Sequence, residues 1–362
     1  MSATADLLAD ADVVLTCGAG GVGKTTVAAA FARRAAEQGR NVALVTVDPA
    51  RRLADAMGIE LADELREVVV DGPGRLQASM IDTSAAWDRL IVERSPDPEI
   101  ATRLLSNPIY RNITARFIQS HEYIAIERLH ELSERDDVDL LVVDTPPSGH
   151  AADLLDAPAR MVDFFEGNLM KWLTAPSRSR VAAVASRPFF RAVDLLLGRE
   201  FVADLSEFFG VLRELGPGFT ARADAVAATL RQPSTRFVVV ASPNPRPVRE
   251  AVAFAAQLAE RQLSVGAVVA NRVLPRWLDD DGLVAAAGQL TSAGVADDID
   301  DLDDRDLADA ADRAVELHRV AIADRRRIDR LGDLGPVTEL PLLPAVDGDE
   351  MLRTLGEHLA AR

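Results

Sequence analysis

Residues Gly18 to Thr25 read GAGGVGKT and fit G-x-x-x-x-G-K-[ST], a spacing that serves phosphate binding. Glycines let successive backbone N–H groups turn inward around phosphate oxygens, and a helix starting behind them adds the positive end of its dipole. Lys24 brings a cation for the β and γ phosphates, and Thr25 a hydroxyl for Mg²⁺, a hard ion that bridges phosphate oxygens. The expected nucleotide contacts are Gly20, Gly21, Val22, Gly23, Lys24, Thr25 and Thr26, with ATP and Mg²⁺ as the ligands. Such a site also needs an acid at the end of a neighbouring strand, and LLVVDTPPSGH supplies Asp144, expected to hold Mg²⁺ through a water. Gly149, five residues on, lies in a Pro- and Gly-containing loop suited to presenting a backbone N–H to the γ-phosphate. Asp48 closes an apolar run in VTVDPARR, so its carboxylate is expected at the same sheet edge. It is the candidate for positioning the attacking water and, with Lys24, the expected catalytic pair.

These residues need a parallel sheet to hold them. Short β-branched runs alternate with longer amphipathic stretches in the first and last thirds of the chain, predicting an α/β, doubly wound, mostly parallel sheet of the phosphate-loop NTPase type. The predicted strands are Val13 to Cys17, Val42 to Val47, Val68 to Asp71, Leu76 to Ile81, Leu140 to Asp144, Phe237 to Ala241, Val265 to Ala270 and Val337 to Leu342. Between residues 100–132 and 151–234 the apolar spacing is helical throughout, which predicts an inserted helical subdomain within an NTPase core of 1–99, 133–150 and 235–362. Eight of the twelve phenylalanines fall in the second stretch, among them Phe164, Phe165, Phe189, Phe190, Phe208 and Phe209, close to Trp172 and Lys171. Most are expected in helix packing, and a minority could line a groove for a client.

The bulk properties narrow the partners. A net charge of -17 opposes general binding to nucleic acid or anionic lipid, and the acidity concentrates in Asp279 to Asp281 and Asp297 to Asp312, expected as a solvated or mobile segment. The single cysteine, Cys17, excludes an internal disulfide and multi-cysteine metal sites. No apolar run reaches the roughly 18 residues of a membrane span, and the first residues lack a basic leader, so a cytoplasmic location is expected. The C-terminal GDEMLRTLGEHLAAR has amphipathic spacing but lacks the basic cluster of a helix that binds anionic membranes.

The three loops together resemble those of the ATPases related to the arsenite-pump ATPase and to the eukaryotic ATPase that delivers tail-anchored membrane proteins. That group carries a deviant Walker A loop KGGVGKT, a switch I DPAHS and a switch II DTxPTGH. Here they read AGGVGKT at Ala19 to Thr25, DPARR at Asp48 to Arg52 and DTPPSGH at Asp144 to His150. By the same resemblance Asn271 in VVANRVLP is an adenine contact, and the LPLLP segment around Pro341 is an adenine loop. The resemblance also implies a dimer, with a hydrophobic protein segment or membrane protein as client. Two departures stand out. Ala19 occupies the position of the group's second lysine, which reaches across the dimer, and Arg51 and Arg52 replace the usual switch I residues. The metalloid-binding cysteines and the CxxC clasp are absent, which argues against arsenite efflux. Three readings follow: a client-handling ATPase; an ATP-binding, weakly hydrolysing regulatory half of a heterodimer; and, ranked last, a Min- or Par-type positioning ATPase.

Overall fold

A computed structural model of the chain describes residues 3–47, 52–108, 110, 121–146, 148–167, 199–290, 304–344 and 347–361. Among the described residues eight strands form one sheet: β1 Val13–Cys17, β2 Asn41–Thr46, β3 Arg66–Val68, β4 Arg75–Met80, β5 Leu140–Asp144, β6 Thr235–Ala241, β7 Val265–Val273 and β8 Val337–Pro341. Their order is β3-β4-β2-β5-β1-β6-β7-β8, parallel except where β3 runs against β4. β1 therefore sits between β5 and β6, where successive crossovers diverge to opposite sides of the sheet. Ligands of open α/β sheets bind at such a point, beyond the carboxyl ends of the strands.

Alternation along the central strands feeds two cores. Leu15, Val45, Val143 and Val239 face one, whereas Val14, Leu44, Val142 and Val240 face the other, so β1, β2, β5 and β6 are buried on both sides. On the second face, α2 (Lys24–Glu37) is clasped between the sheet and the C-terminal helix α12 (Gly348–Ala360). Its run of small residues, VAAAFA, allows that close approach on two sides. Leu352, Leu355 and Leu359 of α12 are buried there, so the amphipathic face of the C-terminal segment packs on the protein's own core. An Asp347 side chain caps α12 by accepting from Glu350 N, 2.9 Å away. Chain order also gives α1 (Ala3–Asp10) and α3 (Arg52–Met57) on this side.

The first face carries the helices of the middle of the chain: α4 (Thr83–Arg94), α5 (Pro98–Ser106), α6 (His121–Ser133), α7 (Ser148–Glu166), α8 (Arg199–Arg231) and α9 (Pro245–Glu260). They share one continuous hydrophobic core with that sheet face. Trp87, Tyr123, Phe165 and Phe219 stack at its centre, Phe208 is buried and Phe164 is 40% exposed. A polar seam crosses this apolar layer. Arg222 Nε on α8 donates to Glu127 Oε1 on α6 at 2.6 Å, and His130 Nδ1 meets Thr229 Oγ1 at 2.9 Å. Phe189, Phe190, Lys171 and Trp172 lie outside the described residues, as do 297–303 of the acidic segment; its remainder opens α11 (Asp304–Gly332), which follows α10 (Leu283–Leu290). Among the described residues, no helix is long and apolar enough to cross a membrane.

Two expectations are corrected. The third strand is Arg66–Val68 and not Val68 to Asp71: it is an antiparallel edge strand, and the chain leaves it at Val69, which is 90% exposed. Gly149 does not lie in a loop, because α7 begins at Ser148 and places it in the first helical turn. Backbone N–H groups of a first turn have no intrahelical acceptors.

Candidate functional site

The phosphate-binding loop is built from the end of β1. The chain leaves the sheet at Gly18 (φ 150), where a Cβ would lie 2.1 Å from the Val240 carbonyl oxygen of β6. It enters α2 through Gly23, which has φ 93 and ψ 27 and caps the helix without a side-chain hydrogen bond. A Cβ there would lie 2.4 Å from Asn271 Nδ2. Only glycine tolerates both the left-handed conformation and that contact. At Gly21 a Cβ would meet nothing within 4 Å, so this side of the loop is open. Lys24 Nζ donates to Ala19 O at 3.0 Å, holding the ammonium against the loop it must serve.

Asp144, at the end of β5, lies opposite Thr16 of β1 and Thr46 of β2 in the strand register. Its Oδ2 accepts from Thr25 Oγ1 at 2.7 Å and from Thr46 Oγ1 at 3.1 Å. The hydroxyl of Thr145 donates to Thr16 O at 2.7 Å, and that of Thr16 to Val143 O at 3.3 Å, tying β1 to β5 beneath the loop. Thr25 and Asp144 thus converge from elements 119 residues apart, and both are hard oxygen donors of the kind that suits Mg²⁺. Cys17 stands directly below. Burial pushes its thiol up to about 12, outweighing its hydrogen bond with Thr145 and the nearby Lys24 charge, so at neutral pH it is an inert thiol.

Asn271 reaches the loop because β7 is irregular. The register with β8 shifts between Ala270 and Val273, and Arg272 adopts φ 63. A bulge re-aims the side chain it carries. Asn271 Nδ2 donates to Val22 O at 2.8 Å and its Oδ1 accepts from Arg272 N at 2.9 Å. Pro341 ends β8 opposite Val273, and Leu342 N donates to Val273 O at 2.8 Å, so Pro341 and Asn271 share the carboxyl edge of neighbouring strands. Gly20, Val22 and Thr26 lie in or directly after the loop, and Gly149 lies in the first turn of α7, which follows β5. Asp48 and Arg51 fall outside the described residues, while Arg52 opens α3 as an exposed residue. Ala19 is 4% exposed, its methyl packed among the apolar residues of the second core.

Two contributors escape motif reading. Thr46 sits in the run VALVT, where a β-branched residue passes for strand filler. The bond from Asn271 to Val22 spans 249 residues and has no local signal.

The family model for anion-transporting ATPases matches residues 11–304. The chain belongs to this family. Similar proteins include a putative arsenical pump-driving ATPase of Halobacterium salinarum, 30% identical over 42% of this chain and 25% of that protein. An arsenical pump-driving ATPase of Acidiphilium multivorum is 25% identical over 59% of this chain and 41% of that protein. The ATPase GET3B of Arabidopsis thaliana is 27% identical over 71% of this chain and 63% of its own length. This anion-transporting ATPase family member therefore spans between a quarter and just under two thirds of these relatives' own lengths.

Proposed function

We propose that this chain is a Mg²⁺-dependent ATPase whose site is the Gly18–Thr26 loop together with Asp144. The observation that carries the reading is the 2.7 Å contact between Thr25 Oγ1 and Asp144 Oδ2, immediately after Lys24. Thr25 and, through a water, Asp144 would hold Mg²⁺, which would neutralise charge on the phosphate oxygens. Lys24 turns its ammonium from Ala19 O toward the β and γ phosphates, and the N–H groups of the first turn of α2 donate to the anionic oxygens. Gly149 offers its first-turn N–H to the γ-phosphate, Asp48 orients the attacking water, and Asn271 and Pro341 flank the adenine.

The chain works as a dimer in the cytoplasm, and the helices of the 100–132 and 151–234 spans form the part that handles a client. A hydrophobic protein segment suits it better than a metalloid, because the one cysteine is buried and protonated. A second reading, an ATP-binding half of a heterodimer with weak hydrolysis of its own, draws support from Ala19. Its methyl is buried in the second core, leaving no cation at the position where the resemblance puts a lysine acting across the dimer. The loss of such a trans cation costs about 10³-fold or more in rate.

Steady-state ATP turnover beside light-scattering mass, for wild type and Asp48→Asn with and without Mg²⁺, tests both. Mg²⁺-dependent turnover by a dimer, lost in Asp48→Asn, supports the self-sufficient enzyme. Tight binding without turnover favours the heterodimer, and no ATP binding at all overturns both readings.

A further inference from the structure

We propose that Thr46 is a positioning residue that fixes the Asp144 carboxylate for its metal, although it belongs to none of the three loop motifs. The inference deepens the Mg²⁺-ATP reading of the site and rests on it. Thr46 ends β2, two residues before Asp48, and lies directly across from Asp144 in the β2–β5 register. Both residues are 1% exposed. A hydroxyl in such a place must find an acceptor, and an apolar β-branched residue of the same shape would fill the strand without that requirement. Thr46 Oγ1 finds Asp144 Oδ2 at 3.1 Å, the same oxygen to which Thr25 Oγ1 donates at 2.7 Å. Donors from two separate elements on one carboxylate oxygen determine the direction in which the group points, and hydrogen bonds to an ionised acceptor are the stronger kind. When the Thr25 oxygen serves the metal, Thr46 continues to donate to the carboxylate from the β2 side.

Thr16 supplies an internal contrast. It faces Asp144 from the other side, across β1–β5, and is equally buried, yet its hydroxyl donates to the Val143 carbonyl at 3.3 Å. Its loss is therefore a structural loss alone.

The test is ATP affinity of the full chain by titration calorimetry, in EDTA and in Mg²⁺, with Mn²⁺ binding to the ATP complex followed by electron paramagnetic resonance. The proteins are wild type, Thr46→Val, Thr46→Ser and Thr16→Val. In Thr46→Val the affinity without metal stays within about twofold of wild type, while the gain from Mg²⁺ falls about tenfold, equivalent to about 1.4 kcal/mol, and Mn²⁺ binds correspondingly more weakly. Thr46→Ser restores the gain to within about twofold. Thr16→Val lowers the melting temperature as Thr46→Val does but keeps the gain. Thr46→Ala gives the same separation should the valine variant not fold. An undiminished Mg²⁺ gain in Thr46→Val, or an equal loss with and without metal, overturns the role of Thr46. A wild type with no Mg²⁺ gain overturns the metal reading itself, and this inference with it.

Discussion

Replacing Gly23 by alanine should damage the loop more than replacing Gly21, although both glycines have positive φ, 93 and 79. A non-glycine residue held in the left-handed region costs about 1–2 kcal/mol at either position. At Gly21 that is the whole cost, since a Cβ there has no neighbour within 4 Å. At Gly23 the new methyl would lie 2.4 Å from Asn271 Nδ2 and must push away the amide that donates to Val22 O. Losing a buried hydrogen bond adds roughly 1–2 kcal/mol, so Gly23→Ala should total about 2–4 kcal/mol. Because part of that loss runs through Asn271, the two sites are coupled. Asn271→Ala is costly alone but should cost about 1–2 kcal/mol less in the Gly23→Ala background, where the bond is already broken. Urea unfolding of wild type, Gly21→Ala, Gly23→Ala, Asn271→Ala and the Gly23/Asn271 double variant measures each quantity, and ATP affinity should fall in the same order. Equal losses for Gly21→Ala and Gly23→Ala, or strict additivity in the double variant, would refute the claim that Asn271 braces the loop.

Two further outcomes concern buried polar groups. The Cys17 thiol, raised to about 12 in the folded chain from its ordinary 9.0, keeps its proton where the unfolded chain has lost it. Its contribution is thus fully present below pH 9 and declines between pH 9 and 12, by about 1.4 kcal/mol at pH 10. The stability gap between wild type and Cys17→Val, read from urea midpoints, should shift by that amount between pH 8 and 10, and a gap independent of pH would contradict the burial. Arg222→Met leaves the Glu127 carboxylate in the helical layer without its 2.6 Å partner and should cost about 3–5 kcal/mol, whereas Arg222→Met combined with Glu127→Leu should regain most of it. Chemical denaturation of the two variants decides the matter.

The sheet could be read from the sequence because its strands are buried on both faces. Val13–Leu15 and Leu140–Val143 are apolar runs, the first leading through Thr16 and Cys17 into the Gly18 loop and the second directly into Asp144. β3 is hard to place because an edge strand paired on one side needs no such run, and of the valines that follow it Val69 is exposed while Val70 only partly packs on the core. The placement of the loop after β1 and of Asp144 at the end of β5 is equally legible, since a glycine-rich turn before a helix and an acid closing an apolar strand are local features. Thr46 and the Asn271 brace were not, because they act through register and a bulge, which join distant segments of the chain. The C-terminal helix shows the same limit: its apolar spacing was visible, but the partner of that face, α2, is set only by the fold.

The most direct test of the account is a crystal structure of the chain with a non-hydrolysable ATP analogue and Mn²⁺, read from the anomalous signal of the metal. Mn²⁺ is expected within coordination distance of Thr25 Oγ1, between that hydroxyl, Asp144 and the phosphates cradled by the Gly18–Thr26 loop. A nucleotide bound elsewhere, or a metal out of reach of both Thr25 and Asp144, would contradict it.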